Sequence, residues 1–352
     1  MEQDRGLIET TKHAQGRYGG FAFGGQSPDG VAVHEPLPKG TVFPNGAAAA
    51  VLLTFDVEGT YGNAVGDLEA EVANYAPICR RLEKNRVPAT FNVVGKMAEE
   101  RGAGFLGAML EAGCEVAVHG YVHDLDKQYG GALVYAGHYG RKENRSQVLE
   151  GVRAVERALE RFGRCAVRGI RLPYGHFNEY TYDAIAEAGL SWASNVGIDD
   201  FVVPGQGFGP QPFRIGLGEK VYPVVEIPLD SQTFDWPIWI ADDRTHSVFV
   251  QAVQAYCCSE GLPFDRSPRL GFEIWRRRIE EAVHQDSVFT LLCHPIYLTV
   301  RREPWGDPLK EFLFPIIELL GDLERRKRVW LCTCAQMALF YRQVMGLEAP
   351  YT

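Results

Sequence analysis

From Ala47 to Phe55 the chain reads AAAAVLLTF, an unbroken apolar run that stops at a carboxylate, Asp56. A strand that is apolar at every position must be covered on both faces. That is the condition of a parallel sheet flanked by helices, not of a half-exposed antiparallel one. The segments that follow agree. Leu68 to Arg86 has helical spacing, VPATFNV (87–93) is a second strand, FLGAMLEAG closes as a helix capped by Gly113, and CEVAVHG is a third strand. The alternation continues with a helix over 146–162, a strand at VRGIRLP, a helix over 178–188 and the strand SWASNV. After an interruption come a helix over 272–284, the strand SVFTLLCHP, a helix over 308–326, the strand RVWLCTC and a short helix over 335–345. This order predicts an α/β fold with parallel strands, closed into a barrel or wound as an open sheet.

Two stretches break the pattern. The first 45 or so residues are rich in Gly, Pro and aromatics without a sustained period, and predict an irregular arm. Residues 203–245 have a similar composition around one strand-like piece, VVEIP, and predict an insertion or long loop, a place where function concentrates. The expected organisation is an arm over 1–48, one catalytic unit over 49–342 that contains the insertion, and a tail over 343–352.

A net charge of −9 offers no basic footprint for nucleic acid or anionic lipid, so neither partner is expected, and it mildly favours a neutral or cationic substrate. The opening twenty residues carry no apolar signal core, and the run 47–55 is too short to span a bilayer. The eight cysteines follow no framework and mostly sit in apolar runs, where a thiol packs as a small hydrophobe. A reduced, cytoplasmic setting is therefore expected.

The chemistry gathers where the apolar strands end, the rim that carries active sites in parallel α/β folds. Four strands end in capable groups: TFDVEG, VAVHGYVH, GIRLPYG and LLCHP. Asp56 and Glu58, two residues apart, leave the strand in similar directions if the chain stays extended, and two carboxylates in one pocket call for a cation. Either could equally serve a strand-end turn. His119 and His123 share a face if the chain turns helically after the strand. With Glu58 they make a two-histidine, one-carboxylate set that suits a divalent metal with open positions. Arg171 could clamp a carboxylate or pair with a surface acid. His294 could be a packed histidine or a general acid near neutral pH.

These four motifs, in their order over roughly 49–342, resemble those of the polysaccharide deacetylase superfamily, carbohydrate esterase family four and its relatives. The D-V-E form of the first motif is most similar to the branch holding peptidoglycan-deacetylase-like proteins, cyclic imide hydrolases and allantoinases. The resemblance implies a distorted (β/α) barrel of about seven parallel strands. It implies Asp56 as general base, Glu58, His119 and His123 as metal ligands, Arg171 orienting Asp56, the Tyr174 backbone N–H on the oxyanion, and His294 as general acid. Glu58 stands where the family usually has aspartate. Asp199 or Asp200 resembles the acid that tunes the histidine, although the usual aspartate–tryptophan ending is absent. The implied cofactor is one divalent ion, zinc first, with cobalt, nickel or manganese as the other candidates. The expected activity is hydrolysis of a non-peptide amide, either N-deacetylation of an amino sugar or similar small amide, or ring opening of a cyclic amide or imide. A non-catalytic binding protein would require a damaged base or acid, and both Asp56 and His294 are present. A dimer or tetramer is compatible with the branch.

Overall fold

The computed structural model describes residues 31–59, 67–123, 140–164, 166–175, 177–198, 211–230, 247–265, 267–299 and 306–347. Asp199 and Asp200 lie outside the described residues, and the 203–245 stretch is described only over 211–230. In chain order the strands are β1 (Val31–His34), β2 (Ala49–Val57), β3 (Ala89–Val93), β4 (Glu115–Val118), β5 (Gly169–Ile170) and β6 (Trp192–Ala193). They continue with β7 (Gly197–Ile198), β8 (Phe213–Leu217), β9 (Lys220–Glu226), β10 (Leu229–Asp230), β11 (Val288–Cys293) and β12 (Val329–Leu331). The helices are α1 (Leu68–Asn85), α2 (Gly95–Arg101), α3 (Leu106–Glu111), α4 (Arg141–Glu160), α5 (Glu179–Glu187), α6 (Ser247–Ser259), α7 (Pro268–His284), α8 (Phe314–Arg325) and α9 (Cys334–Val344).

The main sheet runs β1-β8-β9-β6-β5-β4-β3-β2-β11, with β12 also paired to β2. From β11 through β9 every ladder is parallel, as the continuous apolar runs require, and β8 and β1 extend it antiparallel. The ladder establishes one mixed sheet with helices. Among the described residues no pairing joins its ends, β1 and β11. A short parallel pair, β7 with β10, stands apart.

Two departures from the sequence reading matter. The expected irregular arm contains β1, which pairs with β8 from Val31↔Leu217 to His34↔Arg214. The expected loop region contributes a hairpin, β8 and β9, and not a single strand-like piece. β8 and β9 were hidden because they carry Gly216 and Pro223, which weaken a strand pattern read without its partner, and β1 because its four residues pair only with β8.

The buried strands divide their side chains between two clusters by simple alternation. On β2, Ala49, Val51, Leu53, Phe55 and Val57 join the larger cluster beneath the helices. Ala50 and Leu52 face a smaller cluster with Ala117, Trp192 and Val225. Phe55 and Phe91 stack at 4.5 Å between centroids on the helix side, a contact worth about 0.5–1.5 kcal/mol beyond its buried area. The opposite face changes character along the strands. It is apolar at Ala50 and Leu52 and turns polar at Thr54 and Asp56, which are buried like the rest. With a two-residue period, neighbouring strands in register place Asn92, His119 and Arg171 around the same end. The core thus becomes a site without leaving the sheet. Gly169 is required in the layer below, because a Cβ there would lie 1.9 Å from the ring of the buried Trp192.

Among the described residues no helix is long and apolar enough to cross a membrane. The seven described cysteines are all free thiols.

Candidate active site

Asp56, Glu58, His119, His123, Arg171 and His294 converge at the C-terminal ends of β2, β4, β5 and β11, each over nine-tenths buried. Glu58 Oε1 is the focus. It lies 3.0 Å from His123 Nε2, 3.4 Å from His119 Nε2 and 3.5 Å from His294 Nε2.

Asp56 is held from one side. Its Oδ1 accepts from Arg171 Nη1 at 2.9 Å and from Asn92 Nδ2 at 2.8 Å. Its Oδ2 faces the histidines, 3.9 Å from His119 Nε2. Burial alone would raise this carboxyl, but Arg171, with His119 and His294, outweighs it and holds Asp56 below its usual value. Glu58 is also raised by burial. The imidazoles of His123, His294 and His119 bring it well below the ordinary glutamate value.

Arg171 is fully engaged. Besides Asp56 it donates from Nη1 to Thr54 Oγ1 at 2.9 Å, from Nη2 to Ser194 Oγ at 3.0 Å and from Nε to Ser194 O at 3.2 Å. A surface ion pair, the alternative reading of this residue, is excluded by its burial. The Arg171 carbonyl is used too: it lies 2.8 Å from His119 Nδ1. A carbonyl only accepts, so His119 carries a proton on Nδ1, and Nε2 is the ring nitrogen turned toward Glu58.

The second histidine arrives differently from expectation. The helical turn that would put His119 and His123 on one face does not form; the chain bends there instead. Gly120 takes a left-handed φ of 71°, and the N–H groups of Tyr121 and Val122 both donate to Gln147 Oε1 of α4, at 2.9 and 3.2 Å. Gly151 of the same helix lets it approach, since a Cβ there would sit 2.8 Å from the Gly120 backbone. Tyr174 lies in the short turn Pro173–Gly175, which Leu172 joins to Arg171.

These residues suit a divalent metal. Ligand atoms of Glu58, His119 and His123 lie within 4.8 Å of one another. His119 Nε2 is buried without a hydrogen-bond partner, and its other nitrogen is fixed by a carbonyl, as in histidine ligation generally. Asp56, Glu58 and His294 form an overlapping group. There the guanidinium on Asp56 disfavours a cation, so the first set is the better ligand group.

Residues 44–193 match the family model for polysaccharide deacetylase. Over that stretch the chain is similar to polysaccharide deacetylases. The chain is also similar to a chitooligosaccharide deacetylase of Sinorhizobium fredii (strain NBRC 101917 / NGR234), 36% identical over 111 residues. That match spans 31% of this chain and 45% of the relative, so less than half of the relative's length is represented. In fold the chain is similar to a candidate polysaccharide deacetylase from Mycobacterium smegmatis, with a TM-score of 0.64 at 19% identity, over 92% of this chain and 98% of that one. It is also similar to PuuE allantoinase, with a TM-score of 0.55 at 15% identity, over 90% and 96%. The deacetylase model ends at Ala193, so His294 and the strands that complete the sheet lie beyond it.

Five residues around the candidate site escaped the sequence reading: Thr54, Asn92, Ser194, Asn195 and Glu226. All are buried polar side chains. Their signal was available, since each interrupts or ends an otherwise apolar strand, and a buried polar group needs a partner.

Proposed function

We propose that the chain is a metal-dependent hydrolase of non-peptide amide bonds that removes the acyl group from an N-acetylated amino sugar or a similar small amide. The observation that carries this reading is Glu58 Oε1 meeting three imidazole nitrogens within 3.5 Å beside an arginine-held aspartate. Glu58, His119 and His123 would hold the metal. A divalent cation bound there supplies Lewis-acid polarisation of the amide carbonyl and lowers the pKa of water.

The protein's own groups supply the proton chemistry. Arg171 and Asn92 occupy Oδ1 of Asp56 and keep the carboxyl ionised, which leaves Oδ2 to take the proton of the attacking water. The tetrahedral oxyanion that follows needs a fixed donor, a role that suits the Tyr174 backbone N–H in its turn beside Arg171. His294 gives a proton to the departing nitrogen, because an amide anion is a poor leaving group. The order of roles follows from charge: a carboxyl held below its usual value accepts, and an imidazole donates.

The depth of the reactive side chains supports a second reading, ring opening of a compact cyclic amide or imide. Both readings share one experiment. Metal content is measured on protein purified without added metal, for the wild type, Glu58→Ala and His119→Ala, and the loaded protein is screened on N-acetyl sugars and cyclic imides together. About one ion per chain, lost in both variants, with turnover on one class, supports the proposal. A protein that takes up neither zinc, cobalt nor nickel overturns it.

A further inference from the structure

The residues that hold the oxyanion-side turn are themselves held by a carboxyl on a distant strand. Glu226 ends β9 and is completely buried. Its Oε1 accepts from the backbone N–H of Asn195 at 2.5 Å and of Val196 at 2.7 Å, and its Oε2 accepts from Tyr182 Oη at 2.5 Å. Tyr182 in turn accepts from Asn195 Nδ2 at 3.3 Å. One carboxyl therefore fixes the backbone and, through Tyr182, the side chain of Asn195.

The segment 194–196 is what the site rests on. Asn195 Oδ1 accepts from the N–H of Leu172 at 2.8 Å, the residue that leads into the Pro173–Gly175 turn. Gly175 closes that turn against the same residue: its φ is 63°, and a Cβ there would lie 2.7 Å from Asn195 O. Ser194 takes two of the bonds that orient the Arg171 guanidinium. The turn and the Arg171 guanidinium are thus positioned through Asn195 and Ser194, and Glu226 pins the N–H of Asn195 and of Val196 beside them.

We infer that Glu226 is a positioning residue, setting the 172–175 turn and the Arg171 guanidinium through Asn195 and Ser194 without touching the substrate. The inference rests on the proposed hydrolase reading only for its catalytic consequence. Hydrogen bonding, not charge, does the work. Burial pushes Glu226 up to about 7 against the hydrogen bonds from Tyr182, Val196 and Asn195, so a neutral acceptor can stand in. A glutamine keeps an oxygen for the two N–H groups; an alanine leaves both unsatisfied.

The test uses the full chain with Glu226→Gln, Glu226→Ala and Asn195→Ala, read by amide hydrogen exchange and by steady-state kinetics. Glu226→Ala and Asn195→Ala are expected to speed exchange in the peptide covering 170–175 by at least about tenfold, with the 115–119 peptide unchanged. Their kcat is expected to fall at least about tenfold with KM moving less than about threefold, because a misplaced oxyanion donor costs transition-state binding. Glu226→Gln should stay within about threefold of the wild type in both readouts. Should Glu226→Ala not fold, Asn195→Ala carries the same exchange and kcat expectations. Unchanged exchange at 170–175 overturns the inference whatever the activity. Faster exchange with unchanged kcat overturns its catalytic part. A wild type that turns over no amide defeats the hydrolase reading, and the exchange arm then still decides whether Glu226 sets the turn.

Discussion

Glu71 gives the sharpest quantitative expectation, because its environment is costly for a charge. It lies on α1, fully buried, with Oε1 accepting from Tyr75 Oη and Oε2 without a hydrogen-bond partner. Burial raises its carboxyl from 4.5 to about 8, the Tyr75 hydrogen bond opposing and the Glu58 charge adding to the rise. A folded-state value above the unfolded one means that the folded protein holds the extra proton between about pH 4.5 and 8. The stability this gives is therefore complete below 4.5, falls as pH rises through that window, and is gone above 8. Glu71→Gln fixes the neutral form and removes the dependence. The difference is 2.5 pH units at pH 7, and at about 1.4 kcal/mol each the glutamine variant should be more stable by about 3 kcal/mol, while the two proteins should nearly coincide at pH 4.5. The assay is thermal or urea unfolding of both proteins from pH 4.5 to 9 with a chelator present, so that Glu58 stays uncompensated. Groups common to both cancel in the difference. Two stability curves that run parallel across the range would refute the reasoning.

Two further outcomes follow from the site. Asp56→Asn and His294→Ala should each lower turnover by at least about a hundredfold while keeping the metal, since they remove proton transfer and not ligation; metal analysis beside kcat checks this, and near-full activity in either variant removes that residue from its role. Gly151→Ala drives a methyl into the Gly120 backbone at 2.8 Å and should push α4, with Gln147, off the bend that carries His123. Metal affinity is then expected to fall about 10–100-fold, the range for lost support of a ligand; zinc competition with a chromophoric chelator measures it, and an unchanged Kd would separate the bend from ligand placement.

How much of this could be read beforehand depended on how local each signal was. The parallel core was legible because a run such as Ala47–Phe55 has only one comfortable environment, and its terminal Asp56 announced the functional end of the sheet. The convergence of Asp56, Glu58, His119, His123, Arg171 and His294 was legible for the same reason: strand ends meet when strands are parallel and in register. The His119–His123 bend was not, because its shape comes from Gln147 and Gly151, residues of a helix that the spacing H-x3-H says nothing about. β1, an edge strand, and the β8–β9 hairpin beside it were missed because their pattern makes sense only beside each other. Glu226 illustrates the limit most clearly. In VVEIP it reads as a polar interruption of a strand, and its meaning lies in β6, paired with β9 through Trp192↔Val225 and Ala193↔Glu226. That pairing brings the Glu226 carboxyl to the N–H groups of Asn195 and Val196, just past the end of β6. A one-residue slip of β9 would turn the carboxyl to the opposite face. The candidate site residues are therefore properties of single strands, and can be found by reading along them. The residues that hold them in place are properties of strand pairing, which is why Glu226→Gln against Glu226→Ala tests register as much as chemistry.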